Sequence, residues 1–149
     1  MNGIQASLVS RSVARSGVGR DGGRVLIAED DPIAREALGV LLSEEGFEVV
    51  GLAANGAEAV AMTQESEPEV VVSDVQMPVM NGLDATRSIK RLFPQIQVVI
   101  LSGNSDPLLI SEAEEAGAYE YLHKSGSWGR IAQTVADARA CRAAPAKFG

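Results

Sequence analysis

The residue with the clearest chemical potential in this sequence is an aspartate that follows a short apolar segment. Asp74 comes directly after Val70 to Ser73, and the Met-Pro pair that ends at Pro78 begins a loop behind it. A short run of β-branched residues predicts a buried strand, and the carboxyl edge of a parallel sheet is where ligands bind. Asp74 is therefore predicted to present a carboxylate at such an edge, although taken alone it is equally consistent with an aspartate that starts a turn.

Three other predicted strands end on polar side chains that complement Asp74. Glu29 and Asp30 follow the first strand, Ser102 ends the fourth, and Lys124 follows the fifth. Converging carboxylates repel one another unless a cation is present, and all-oxygen ligands suit Mg²⁺ or Mn²⁺. A carboxylate nucleophile beside a metal and an ammonium group is suited to accepting a phosphoryl group. The pattern therefore predicts a phosphorylated aspartate rather than an isolated turn.

The elements that position these residues alternate regularly along the chain. Alternating strands and helices predict a parallel sheet with helices on both faces. The predicted class is α/β, a flavodoxin-like (βα)5 three-layer sandwich with strand order 2-1-3-4-5, whose switch point lies between strands 1 and 3. The predicted strands cover residues 24–28, 47–53, 69–74, 96–101 and 118–123, and the helices start near residues 32, 55, 82, 107 and 128. Trp128 shares one face of the last helix with Ile131, Val135 and Ala138, and is predicted to be a core or interface residue.

Composition limits the classes of protein that this chain can represent. It has 149 residues, 46% of them hydrophobic, which is enough for one domain with a proper core. The net charge of −7 argues against broad nucleic-acid binding, and no apolar run is long enough to cross a membrane. A single cysteine, Cys141, suits a reducing cytosol, so we expect a cytoplasmic protein. We predict a flexible arm at 1–23, one domain at 24–138 and a flexible tail at 139–149.

Four segments together resemble the receiver domain of bacterial two-component response regulators. They are Val25-Leu-Ile-Ala-Glu-Asp-Asp-Pro32, Asp74-Val-Gln-Met-Pro-Val-Met-Asn-Gly82, Leu101-Ser-Gly103 and Ala116-Gly-Ala-Tyr-Glu-Tyr-Leu-His-Lys124. The resemblance implies a role for each of eight residues around the predicted crevice. Asp74 is implied as phosphoacceptor, Asp30 as direct metal ligand, Glu29 as a ligand through water, Gln76 as a ligand through its backbone carbonyl, Ser102 as switch hydroxyl, Tyr121 as switch aromatic, Lys124 as the catalytic lysine, and Gln76 with Asn104 as residues that tune hydrolysis.

Two positions depart from the pattern of the family. Glu29 stands where Asp is more usual, which predicts a shift in the coordination around the metal. Ser125 stands where many receivers have a proline after the lysine, which removes the expected cis-proline loop.

The resemblance implies a stand-alone receiver that is phosphorylated by a histidine kinase or phosphotransfer protein. It would then switch its binding to a downstream protein, and a homodimer through helix 4, strand 5 and helix 5 is a further expectation. A phosphate sink, a relay intermediate and the receiver fragment of a DNA-binding regulator remain alternatives, as does a pseudo-receiver that binds partners without phosphorylation.

Two other classes fit the sequence less well. A phosphatase with an aspartate nucleophile needs a general-acid aspartate two residues later, where this chain has Gln76. We therefore expect no enzyme activity beyond the domain's own phosphorylation and dephosphorylation. A flavin or nucleotide binder needs a Ser/Gly/Thr phosphate loop after strand 1, where this chain has Glu29, Asp30 and Asp31.

Overall fold

The computed structural model describes residues 22–141, which form a five-stranded parallel sheet between two layers of helices. The strand order is β2-β1-β3-β4-β5, so the predicted fold class and strand order are confirmed. Residues 1–21 and 142–149, which hold most of the predicted arm and tail, lie outside the described residues. The strands are β1 Arg24–Ala28, β2 Glu48–Ala53, β3 Val70–Ser73, β4 Gln97–Ser102 and β5 Glu120–His123.

Each of the five helices begins after a polar side chain that caps it. The capping oxygens accept N–H groups of the first turn, which would otherwise lack an acceptor. The helices are α1 Pro32–Glu44, α2 Gly56–Ser66, α3 Gly82–Leu92, α4 Pro107–Ala116 and α5 Trp128–Ala140, and their caps are Asp31, Asn55, Asn81, Asp106 and Ser127.

The core is divided by the sheet into two apolar clusters. One cluster joins the sheet to α1 and α5 through residues such as Leu42 and Ile131. The other joins it to α2, α3 and α4 through residues such as Ala59 and Ile89. The three apolar residues of β3 are fully buried, as a central parallel strand covered on both faces requires.

The boundaries differ from the predictions at a few places. β3 ends at Ser73 and β5 starts at Glu120, which leaves Asp74 on the loop directly after its strand. Helix α5 continues to Ala140, two residues past the predicted domain end, because Arg139 is anchored to Glu69. Trp128 is 51% exposed, so it is not the core residue that was one of its two predicted roles: it occupies the first turn of α5, ahead of the turns that pack on the sheet. Its other predicted role, at an interface, stays a prediction.

The first described residues are already hydrogen-bonded to the segment that leads into β2. The N–H of Gly22 donates to the carbonyl of Gly46 at 3.1 Å, and the N–H of Glu48 donates to the carbonyl of Gly23 at 2.8 Å. These bonds attach residues 22 and 23, which the prediction assigned to the arm, to the segment around the start of β2.

Candidate functional site

The acidic residues meet because β1 and β3 are neighbours that end at the same level. Ala28 is paired with Ser73, so the residues that follow, Glu29 and Asp74, emerge side by side. Carboxylate oxygens of Glu29, Asp30 and Asp74 all lie within 4.8 Å of one another. Glu29 is 1% exposed and Asp74 8% exposed, whereas Asp30 is open to solvent. The structure thus assembles the three predicted carboxylates in one crevice.

Lys124 lies between two of these carboxylates. Its Nζ is 2.7 Å from Glu29 Oε1 and 2.9 Å from Asp74 Oδ2. The backbone N–H of Lys124 donates to the carbonyl of Ser102 at 2.8 Å, which fixes the end of β5 beside β4. The predicted lysine is therefore in direct contact with the predicted phosphoacceptor.

Burial and ion pairing act in opposite directions on the Lys124 ammonium. Burial lowers its pKa, but the hydrogen bonds that the ammonium donates to Glu29 and Asp74 raise it, and the net pKa lies above the ordinary 10.5. A lysine whose pKa is raised by folding stabilises the folded state. This stabilisation is complete at pH values below the ordinary pKa, and it is lost as the pH rises through the pKa of the folded state. The ammonium is therefore charged throughout the neutral range.

The orientation of Asp74 is fixed by close packing of the backbone. Its Oδ1 accepts the N–H of Val75 at 2.7 Å, and its carbonyl accepts the hydroxyl of Ser73 at 2.8 Å. Gly82, the first residue of α3, donates its N–H to the carbonyl of Val75 at 2.7 Å. A Cβ at Gly82 would lie 1.7 Å from the Asp74 carbonyl oxygen, so only glycine permits this approach.

The acidic turn after β1 is held by a residue that the sequence reasoning missed. Arg35 Nη1 donates to the carbonyl of Glu29 at 2.8 Å and to that of Asp30 at 3.4 Å. The N–H of Asp31 also donates to Glu29 Oε2 at 3.1 Å. The signal for Arg35 is its position about one turn into the helix that follows the acids, from which a long side chain reaches back.

The donor set fits a divalent cation. Three acidic side chains, those of Glu29, Asp30 and Asp74, face the single ammonium of Lys124, and carboxylate oxygens are the ligands that Mg²⁺ and Mn²⁺ prefer. Both oxygens of Glu29 are already engaged, one by Lys124 and one by the N–H of Asp31. This arrangement is compatible with the predicted indirect role of Glu29. Gln76 is exposed and lies two residues after Asp74.

Ser102 and Tyr121, the two predicted switch residues, are linked through one loop residue. Asn104 donates its N–H to Ser102 Oγ at 3.1 Å, and its carbonyl accepts a hydrogen bond from the Tyr121 hydroxyl. Ser102 is 2% exposed and Tyr121 is half-buried. The Asn104 side-chain oxygen accepts the N–H of Asp106 at 2.9 Å, which shapes the loop before α4. Sequence reasoning assigned Asn104 only to hydrolysis and missed this bridge.

The turn after Lys124 closes without proline. Ser125 donates its backbone N–H to His123 Nδ1 at 3.0 Å, and its hydroxyl lies 2.7 Å from the same nitrogen. A side-chain contact thus shapes the turn at the position where many receivers carry proline.

Comparison with known proteins is consistent with this geometry. Residues 25–136 match the family model described as the response regulator receiver domain. The chain belongs to this family. It is therefore a receiver domain of two-component signal transduction.

The related proteins include both single receivers and longer regulators. The receiver is 34% identical to the chemotaxis protein CheY of Thermotoga maritima, over 76% of this chain and 95% of that protein. It is 44% identical to the transcriptional regulatory protein PdtaR of Mycobacterium tuberculosis, over 68% of this chain and 49% of that protein. It thus spans nearly all of one relative and about half of the other.

Solved structures agree with this assignment. A LuxR-family response regulator from Aurantimonas sp. SI85-9A1 superposes with a TM-score of 0.76 at 30% identity, covering 79% of this chain and 85% of that one. The receiver domain of the putative response regulator NarL of Mycobacterium tuberculosis gives 0.75 at 27% identity, covering 80% and 98%. Among residues 22–141, no helix has the length and apolar character needed to span a bilayer.

Proposed function

We propose that this receiver is phosphorylated on Asp74 by a histidine kinase or phosphotransfer protein, and that the phosphorylated form binds a downstream protein differently. The observation that best supports this proposal is the contact of Lys124 with Asp74, which lies in a cluster with the carboxylates of Glu29 and Asp30. CheY-like relatives are regulators, and no enzyme activity on other substrates is part of the proposal.

The proposed reaction needs a positioned nucleophile and a fixed positive charge. An Asp74 oxygen forms the new P–O bond while the P–N bond of the donor phosphohistidine breaks and its electron pair stays on the imidazole. Lys124 is placed to contact the transferred oxygens, because its ammonium already lies beside Asp74 Oδ2. Mg²⁺ or Mn²⁺, when bound by Asp30, Asp74 and the Gln76 carbonyl, with Glu29 acting through water, supplies further positive charge to the phosphoryl oxygens.

The proposed switch combines several contacts. Moving a two-state protein from mostly inactive to mostly active takes roughly 5 kcal/mol, whereas one hydrogen bond to a charged group contributes about 1.5–3 kcal/mol. Ser102 alone is therefore insufficient. Its hydroxyl would move toward the phosphoryl group and release Asn104, whose carbonyl would release the Tyr121 hydroxyl and let the ring rotate inward. Lys124 contributes the remaining contact.

The decisive experiment is phosphorylation by a small acyl phosphate in the presence of Mg²⁺, followed by intact mass measurement. We expect a gain of one phosphoryl group that Asp74→Asn abolishes. The matched control is Asp84→Asn, because Asp84 is an exposed carboxylate on α3 outside the crevice. A phosphoryl group that persists in Asp74→Asn would show that another residue is the acceptor.

Amide exchange distinguishes a switching receiver from a phosphate sink or relay intermediate. We expect altered protection across residues 102–130 when a phosphoryl mimic is added, with a smaller change in Ser102→Ala and the smallest in Lys124→Ala. A homodimer through α4, β5 and α5 would add concentration-dependent protection there. Equal protection in both states would favour the sink or relay. We place the protein in the cytoplasm and expect it to make no direct contact with nucleic acid.

A further inference from the structure

The loop between β3 and α3 contains a backbone outlier shortly after Asp74. Val79 has a φ of +70°, in a region that β-branched residues rarely adopt. The N–H of Met80 donates to the carbonyl of Pro78 at 2.7 Å, so Val79 is the central residue of a γ-turn. The form of this turn with a positive φ is rare and strained. The folded chain therefore holds Val79 at a cost in conformational energy.

The fold alone does not explain a valine at this position. Among residues 22–141, the other non-glycine residue with a positive φ is Glu67, which is the left-handed C-cap of α2, a common way for a helix to end. Val79 caps no helix, and its side chain is 83% exposed, so it adds nothing to the core. Glycine or asparagine adopts this φ with less strain. Both the strain and the exposed apolar surface thus count against the isolated fold.

The loop that carries Val79 is anchored on both sides of the turn. Gly56, the first residue of α2, donates its N–H to the carbonyl of Met80 at 2.8 Å, and a Cβ at Gly56 would lie 2.4 Å from that oxygen. The N–H of Gly82 donates to the carbonyl of Val75 at 2.7 Å. A strained conformation persists where the surrounding structure fixes it in this way, and such residues are concentrated at functional sites. The Val79 side chain is therefore presented to solvent from a fixed backbone.

Exposed apolar side chains are concentrated at the edge of the sheet that holds the acidic crevice. The three most exposed large apolar residues of the described chain are Val79 at 83%, Ile33 at 79% and Leu108 at 65%. They lie in the segments that follow β3, β1 and β4, respectively, and the carboxyl ends of these parallel strands share one edge. Apolar side chains exposed together beside a polar site are typical of a surface that another protein covers.

The burial of Asp74 determines which donors must touch the surrounding loops. Asp74 is 8% exposed, so a donor has to bring its phosphoryl group into the crevice. A small acyl phosphate can enter by itself. A phosphohistidine is attached to a folded protein that is larger than the crevice, so the surface around it must rest on the loops at this edge. One of these loops carries both Asp74 and Val79, which makes Val79 a contact for a protein donor and not for a small one.

We propose that Val79 is a specificity-determining residue for the protein that donates the phosphoryl group. Its side chain packs against apolar side chains around the donor's phosphohistidine, and the strained γ-turn holds it in place for that contact. Covering Val79 removes apolar surface from water, which offsets the strain. This inference rests on the proposed phosphorylation of Asp74, and it adds a residue by which the receiver distinguishes one protein donor from another.

The test compares two phosphodonors on the full-length chain. One is a small acyl phosphate with Mg²⁺. The other is a phosphotransfer domain that carries phosphohistidine, chosen from a panel of such domains as the one that transfers fastest to the unaltered chain. The measured quantity is the second-order rate constant with the protein donor divided by that with acyl phosphate.

Val79→Asn should lower this ratio about tenfold, chiefly through a higher KM for the protein donor, because asparagine fits the turn but lacks the apolar surface. Val79→Ile keeps an apolar β-branched side chain and should retain the ratio. Leu92→Asn is the matched control, because Leu92 is exposed at the far end of α3, away from the crevice. It should leave the ratio unchanged.

Thermal unfolding of the same variants measures the strain separately. Val79→Asn should raise the unfolding midpoint by a few degrees, because it relieves the turn, whereas Val79→Ile and Leu92→Asn should not. A variant that is more stable and yet a poorer acceptor from the protein donor is the result that the inference requires.

Several results would overturn the inference. The ratio could stay unchanged in Val79→Asn, or the midpoint could fail to rise. Equal losses with both donors would show that Val79 shapes the crevice instead of contacting the donor. A chain that accepts phosphate from acyl phosphate but from no domain of the panel would also count against it. Failure of the unaltered chain to accept phosphate from acyl phosphate would instead contradict the proposed function itself.

Discussion

Charged side chains are paired differently at the two edges of the sheet, the one formed by the amino ends of the strands and the one formed by their carboxyl ends. At the amino edge, Glu69 Oε1 accepts the backbone N–H of Arg24 and the Nε of Arg139, both at 3.0 Å. At the carboxyl edge, by contrast, several carboxylates share the one ammonium of Lys124. At the amino edge, the Glu69 carboxylate is paired with an arginine of the described chain. At the carboxyl edge, there are more carboxylates than the Lys124 ammonium can pair.

The contacts at the amino edge contribute to stability, whereas the carboxylates at the carboxyl edge point to function. The amino-edge contacts attach the end of α5 to the sheet, since Gln97 Nε2 also donates to the carbonyl of Cys141 at 3.2 Å. Lys90 closes the same region by donating to the carbonyls of Pro94 and Ile96 at 2.6 and 2.9 Å, and its burial lowers its pKa. Unmatched carboxylates destabilise a fold unless a ligand offsets their repulsion, so the excess at the other edge indicates a binding site.

The largest expected effect comes from disturbing the backbone contact that supports the carboxyl edge. Gly82→Ala should lower the free energy of unfolding by about 3 kcal/mol, at the upper end of overpacking costs, because its Cβ would overlap the Asp74 carbonyl. Urea denaturation measures the change. Gly103→Ala is the control, because a Cβ there meets nothing within 4 Å, and its effect should stay within about 0.5 kcal/mol. Equal losses in the two variants would refute the role of close packing.

The next largest expected effect is the gain in stability on binding Mg²⁺, which should be lost in a variant of the carboxyl edge but not in a variant of the amino edge. At a Mg²⁺ concentration of a hundred times the dissociation constant, binding to the folded state adds about 2.7 kcal/mol of stability. Asp30→Asn should remove this gain, and Glu69→Gln should leave it unchanged although it weakens the other edge. Thermal unfolding with and without Mg²⁺ provides the comparison. Stabilisation by Mg²⁺ that persists in Asp30→Asn would place the ion elsewhere.

Much of the carboxyl edge was predictable because its parts follow directly from strand ends. When an apolar strand ends just before Asp74 or Lys124, that residue must lie at the carboxyl end of the strand. The strand order then brings the carboxyl ends of neighbouring strands together. The switch roles of Ser102 and Tyr121 were implied by the family resemblance and stay predictions. The same reasoning placed all five helices, since caps and prolines mark their starts.

The contacts that the sequence did not predict depend on long side chains and on backbone carbonyls. Arg35 reaches back to the Glu29 carbonyl, and Asn104 joins Ser102 to Tyr121 through its main chain. Such bonds depend on loop conformation and rotamer choice, which leave no periodic pattern. Helical spacing did not decide whether Trp128 lies in the core or at an interface for a related reason, because spacing alone does not say where a helix first meets the sheet.

The amino edge is expected to respond to the loss of a single charge. Glu69→Gln should lower the free energy of unfolding by about 1.5–2 kcal/mol, because its carboxylate accepts from both Arg24 and Arg139. Chemical denaturation of this variant and of Glu115→Gln, an exposed residue of α4, measures the difference. If both changes have the same small effect, the amino edge is not anchored by this carboxylate.

The smallest expected effect concerns the acidic turn. Arg35→Met should lower the free energy of unfolding by about 1 kcal/mol, because it removes the bond from Nη1 to the Glu29 carbonyl. Arg91→Met is the control, because Arg91 is exposed on α3 and has no hydrogen bond or ion pair among residues 22–141.

The response of Arg35→Met to Mg²⁺ tells whether the arginine acts through the main chain or through its charge. A bond to a carbonyl is unaffected when the carboxylates are neutralised, so the loss of about 1 kcal/mol should persist in saturating Mg²⁺. A purely electrostatic role would be offset by the bound cation, and the loss would then disappear. We expect Arg35 to support the carboxyl edge chiefly through its bond to the Glu29 carbonyl, and persistence of the loss in Mg²⁺ is the result that this role requires.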